Sequence, residues 1–185
     1  MAEHGVRDFL FAKRKAAARF GVVDGAVLPR NTEIEAALAE YQRLFGGDEH
    51  IETLFAQRLA AAEAMRQLRE FNPRLVGAVL TGTATAHHDV QLHVFADRPE
   101  SVALRLLDLQ IEYEVGEKRL RMNAERTLDQ PSLRIDIDEQ PIDIVVFPID
   151  GIRQAPVSPV DGKPMRRADL TELQNLLADQ SSASS

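Results

Sequence analysis

Asp89-Val90-Gln91-Leu92-His93-Val94-Phe95 decides the fold, together with Ile142-Asp143-Ile144-Val145-Val146-Phe147 later in the chain. Both stretches alternate, as strands do when their two faces meet different surroundings. In the first, Val90, Leu92 and Val94 share one face; Asp89, Gln91, His93 and Phe95 share the other. In the second, Ile142, Ile144 and Val146 oppose Asp143, Val145 and Phe147. Leu133–Asp138 repeats the pattern, with Leu133, Ile135 and Ile137 against Arg134, Asp136 and Asp138. Its short polar link to Ile142 predicts a hairpin. Ile111–Val115 and Lys118–Met122 flank Gly116 and predict another. The apolar run Leu75–Leu80 reads as a further strand, ending in Thr81-Gly82-Thr83.

Outward from these strands the period changes. Asp97-Arg98-Pro99 opens a helix carrying Val102, Leu106 and Leu109. Upstream, residues 7–72 read as helices. Phe9, Ala12, Ala16 and Phe20 recur at helical spacing in a locally basic segment, which is either a solvated face or an anion-docking surface. Thr32 and Glu35 fit a capping box ahead of the stripe Ile34, Leu38, Tyr41 and Phe45, which Gly46-Gly47 closes. A third helix is predicted from Glu49 to Phe71, with Ile51, Phe55, Leu59, Ala62, Met65 and Leu68 inward. Asn72-Pro73 stops it. The expected architecture is α+β: a helical N-terminal half, then a mixed sheet with helices on one face and an open polar face. The expected divisions are a helical extension over 1–72, an α/β core over 73–148, and a Pro-rich arm with a short C-terminal helix over 149–178. A disordered tail is expected over 179–185.

Composition narrows the classes of function. The chain has 185 residues, 44% hydrophobic and 28% charged, as soluble globular proteins do. With no Cys, disulfides, thiolate zinc sites and thiol nucleophiles are excluded. Met1–Arg19 is charged and has no long apolar core, so it does not read as a secretory signal. No apolar run reaches the roughly 20 residues of a membrane span. A cytoplasmic protein is therefore expected, without a membrane partner. The net charge of −7 argues against broad nonspecific nucleic-acid binding.

The polar strand faces hold the chemistry. Asp136, Asp138 and Asp143 on adjacent strands repel one another unless Arg134, Lys118, Arg119 or a bound cation compensates. Such a face is either the solvated side of an antiparallel sheet or a seat for a hard cation such as Mg²⁺, which prefers oxygen ligands. His87, His88, Asp89 and His93 are a weaker metal candidate, because a strand spreads its ligands apart. His87 and His88 read as exposed loop residues and His93 as a hydrogen-bonded sheet residue. Lys163, Arg166 and Arg167 form a small basic cluster that is either structural or phosphate-contacting. The chain contains no G-x-x-x-x-G-K, H-E-x-x-H or G-x-S-x-G motif.

Over residues 74–148 the order of motifs resembles the nucleotidyltransferase superfamily with the polymerase-beta-like fold. Leu80-Thr81-Gly82-Thr83 resembles its strand ending in a small pair. Asp89-Val90-Gln91-Leu92 resembles its Asp-x-Asp strand, and Ile142-Asp143-Ile144-Val145 the strand bearing its third carboxylate. The resemblance implies that Gly82 and Thr83 meet phosphate and that Asp89 and Asp143 hold Mg²⁺. Gln91 then orients, where the family has a second Asp. The implied activity is transfer of a nucleoside monophosphate from a nucleoside triphosphate to an acceptor hydroxyl. Because Gln91 removes a negative charge, the alternative is a degenerate member that binds a nucleotide, or acts through a protein partner or self-association.

Overall fold

The alternating stretches form one five-stranded mixed sheet in the computed structural model, which describes residues 30–45 and 47–183. In chain order the elements are α1 (Asn31–Phe45), α2 (Gly47–Gln67), β1 (Arg74–Val76), α3 (Ala78–Thr81), β2 (Val90–Phe95), α4 (Pro99–Asp108), β3 (Glu114–Arg121), β4 (Thr127–Ile137), β5 (Gln140–Phe147) and α5 (Leu170–Ala183). The sheet order is β1-β2-β5-β4-β3. β2 and β5 run parallel; the other three pairings are antiparallel. The helix expected around Phe9–Phe20 lies outside the described residues.

One sheet face is the core. Leu75, Val90, Leu92, Val94, Leu133, Ile135, Ile142, Ile144 and Val146 are buried in one cluster with Leu54, Ala61, Met65 and Leu68. Val102 and Leu106 of α4 and Leu173 of α5 complete it. The described helices that enter this cluster thus cover the apolar face of the strands, which is the α+β arrangement the alternation implies.

Several local expectations are corrected. Leu75–Leu80 is not one strand: it breaks at Gly77, where φ is +76°, into the three residues of β1 and the single turn of α3. A residue with a Cβ rarely takes that φ, so the glycine sets the break. The hairpin expected across Gly116 is instead the single strand β3, which pairs continuously with β4. Gly116 lies opposite Ser132, and a Cβ there would come within 3.2 Å of the Ser132 Oγ. Asp138 leaves the strand and forms the β4–β5 turn with Glu139, at φ +50° and +63°. The cap of α1 is displaced too: the Arg30 N–H donates to the Glu33 carboxylate at 2.7 Å, so the reciprocal half of a capping box forms two residues earlier than expected. Tyr41, expected inward, is exposed.

α2 turns a different face inward over its first half. Ile51 and Leu59 are exposed, while Leu54, Gln57, Arg58 and Ala61 are buried. Gln57 and Arg58 find polar partners inside, so the helix rotates to deliver them (below). At the other end, α5 runs to Ala183, so the helix continues through residues 179–183 of the expected tail. Gln180 accepts from Arg58 Nη1 at 2.9 Å and donates to the Ile51 carbonyl at 3.1 Å, which ties the last turns to α2.

The second sheet face is only partly open. Phe95, Val145 and Phe147 form a small apolar cluster there, with Leu120 packed against it. The arm between β5 and α5 is held by backbone hydrogen bonds. Val157 N–H donates to the Arg121 carbonyl, and Ala168 exchanges two bonds with Leu75, extending the sheet beyond β1.

Candidate functional site

The parallel pairing of β2 with β5 brings the sequence-predicted carboxylates together. Gln91 lies opposite Asp143, and Asp89 immediately precedes Val90, which lies opposite Ile142. Asp143 in turn lies opposite Arg134 on β4, and Arg134 opposite Glu114 on β3. A row of polar side chains thus crosses four strands on the face away from the core. The neighbouring row holds Arg74, His93, Val145, Ser132 and Gly116.

Both carboxylates are neutralised by cations. Arg134 donates a fork to Asp89, Nη1 to Oδ2 at 2.7 Å and Nη2 to Oδ1 at 3.3 Å. That two-point geometry suits a planar guanidinium and a carboxylate. The Asp89 carboxylate beside it raises the Arg134 pKa above its ordinary value. Lys118 donates to Asp143 Oδ2. By register, Lys118 starts two residues beyond the row of Ser132 and Gly116 and crosses it to reach Asp143. The small side chains of that row leave the path clear. Of the three strand carboxylates expected to repel, Asp143 takes Lys118; Arg134 pairs instead with Asp89, and Arg119 lies near Asp129.

Gly82 and Thr83 sit one helical turn beyond the end of β1. The N–H groups of Gly82, Thr83 and Ala84 all donate to the Ala78 carbonyl, and the Thr83 hydroxyl shares a 3.0 Å hydrogen bond with Thr81. These backbone donors are therefore engaged within the loop. The residues at the strand end are Gly77-Ala78, inside an apolar run that fits a single strand by its pattern alone. Gly77 inside that run was the available signal. A Cβ on Gly77 would stand 3.0 Å from Gln91 Oε1, so the amide packs directly on the glycine.

α2 holds this loop in place. Gln57 Nε2 donates to the Thr85 and His88 carbonyls, both at 3.0 Å. Arg58 donates to the Val79 carbonyl at 3.2 Å and the Leu80 carbonyl at 3.5 Å, satisfying acceptors at the end of α3. Burial lowers the Arg58 pKa. Neither residue stood out in the sequence, because each falls within a helix whose inward stripe was assigned to apolar residues.

The arm covers the aromatic end of this face and leaves the carboxylates to Arg134 and Lys118. Arg167 Nε donates to His93 Nδ1 at 3.0 Å, and its Nη1 donates to the Gly151 carbonyl at 2.8 Å. Its guanidinium lies 5.0 Å from the ring centroids of both Phe95 and Phe147. His93 is 2% exposed. Burial, then the charges of Arg167 and Lys118, push its pKa down to about 3, so the ring is neutral and accepts from Arg167. His93 is thus a hydrogen-bonded sheet residue. His87 and His88 are exposed, and His88 Nδ1 is bonded to Thr85 within the loop. Arg166 pairs with Glu172, and Lys163 is exposed. An open cleft of about 280 Å³ beside the loop is lined by Glu49, His50, Thr53, Thr85, Ala86 and His87, and includes none of the carboxylate row.

A divalent cation does not fit these side chains as they stand. Both Asp89 oxygens accept from Arg134, Asp143 accepts from Lys118, and the Gln91 amide oxygen faces Gly77. Among the described residues no three His, Cys, Asp or Glu converge as metal ligands. Among the described residues no helix is long and apolar enough to cross a membrane. Comparison with protein-family models, curated proteins and solved structures finds no match.

Proposed function

We propose that the chain is a nucleotidyltransferase-like protein that binds a nucleoside triphosphate across β2 and β5 without transferring it. The observation that carries this reading is the register of Gln91 opposite Asp143, with Asp89 just ahead of β2. A strand ending in a small pair precedes it and the strand bearing Asp143 follows, in the order that the resemblance implies. Gly77-Ala78 fills the place of the small pair, although Ala78 brings no hydroxyl. Gln91 in place of a carboxylate and the two ion pairs favour binding over chemistry.

Mg²⁺-dependent transfer to a hydroxyl is the second reading. The place of Asp89 just ahead of β2, beside the strand that carries Asp143, favours it, and the ion pairs weigh against it.

A thermal-shift screen of the four ribonucleoside and four deoxyribonucleoside triphosphates tests the first reading. A ligand at about 100 times its dissociation constant stabilises the native state by about 2.7 kcal/mol. The expected result is a raised melting temperature with at least one nucleotide. An unchanged melting temperature with all eight, in either chelator or metal, overturns the reading. Incorporation of labelled nucleotide into any acceptor supports the second reading, provided Asp143→Ala abolishes it.

A further inference from the structure

We infer that Lys118 and Arg134 do the work of a divalent metal at this site, so that the triphosphate is held without Mg²⁺. This rests on the proposed function, in which phosphate lies against the carboxylate row. A triphosphate carries several negative charges and needs positive charge beside it. The site can supply that charge through metal ligands or through basic side chains.

The ligand route is weakened three times over. Gln91 contributes no charge, and its amide oxygen is packed against Gly77. The guanidinium fork of Arg134 occupies both oxygens of Asp89. The Lys118 ammonium sits on Asp143. A dication entering here has to displace both basic groups from their carboxylates and then stay beside them, at a like-charge cost.

The side-chain route also draws the two basic groups off their carboxylates, but it adds no further cation beside them. Lys118 reaches the row from the edge strand β3 and Arg134 stands in it on β4; they are the basic groups paired with Asp143 and Asp89. Each remains part-exposed, at 32% and 47% of its side chain. Each can therefore turn from carboxylate to phosphate oxygen with a small movement, and the planar fork that grips Asp89 also matches a phosphate. Asp89 and Asp143 then act as holders that preset the two cations and compete with the ligand for them. This last point separates the inference from a metal site, because it reverses the effect of removing a carboxylate.

Isothermal titration of the full chain with ATP and with inorganic triphosphate, each in EDTA and in excess Mg²⁺, tests this. Binding is expected in EDTA and is expected to weaken when Mg²⁺ masks the phosphate charge. Lys118→Ala and Arg134→Ala should each weaken binding in EDTA by about tenfold or more, as loss of a hydrogen bond to a charged group does. Arg134→Lys should restore part of the loss. Asp89→Asn should leave binding intact or tighten it. Melting curves of each variant confirm that it is folded. Equal affinity for both probes supports a site that reads phosphate alone, and tighter ATP binding supports one that also reads the nucleoside. Binding only with Mg²⁺, abolished by Asp89→Asn, overturns the inference and leaves the proposed function standing. No binding of either probe in either buffer overturns the inference, and no melting shift with any of the eight nucleotides overturns the proposed function as well.

Discussion

Gly77 and Gln91 are interlocked at the residue scale. Gly77 has φ +76°, and a Cβ there would stand 3.0 Å from Gln91 Oε1. Gly77→Ala is expected to lower stability by about 1–3 kcal/mol in urea unfolding. Adding Gln91→Ala should recover only the part due to contact, because the backbone strain remains. Full recovery in the double variant would show that the φ costs nothing. His93 sets a second residue-scale expectation. Its pKa falls from 6.5 to about 3 on folding, so between these values the unfolded chain binds the extra proton. Stability from this group is complete above pH 6.5 and is lost as the pH falls toward 3, at up to about 1.4 kcal/mol per pH unit. His93→Gln retains an acceptor for Arg167 and cannot titrate. Its stability should fall less steeply over that window in pH-dependent melts. Parallel curves for the two proteins would mean that His93 is not the group responsible.

At the scale of elements, α2 organises the segment before β2. Gln57 spans the Thr85 and His88 carbonyls, and Arg58 the carbonyls at the end of α3. Gln57→Leu leaves two acceptors without their donor and is expected to cost about 1–3 kcal/mol. Amide hydrogen exchange over residues 83–90 should accelerate more than exchange in β4. Uniform acceleration would mean that Gln57 supports the whole core and not the loop. The strands β2 and β5 were legible in the sequence because strict alternation leaves each side chain one face to occupy. β1 was not, since a continuous apolar run fits a strand and a buried helical turn equally well. The inward face of α2 was hidden for a related reason. Periodicity assigns apolar residues to the core, whereas the buried polar pair Gln57 and Arg58 is specified by carbonyls that come from elsewhere in the chain.

At the scale of the whole molecule, the arm closes one end of the second face through Arg167. Arg167→Ala removes the donor to His93 and the cation over Phe95 and Phe147, with each aromatic contact worth about 0.5–2 kcal/mol. The arm should then open to trypsin at Arg153 and Arg166, while the remaining core keeps a cooperative melt; Lys163, followed by Pro164, stays uncut. An unchanged cleavage rate would show that Val157 and Ala168 hold the arm without Arg167. By itself the sequence determined the α+β class, the strands that carry Gln91 and Asp143, and their shared face. It did so because side-chain alternation is a local property of the backbone. Tertiary structure decided the rest. The parallel register of β2 and β5 set Gln91 against Asp143, and β3 and β4 brought Lys118 and Arg134 onto the carboxylates. Those partners lie 25 and 45 positions apart in the chain, so only the sheet order could bring their charges together.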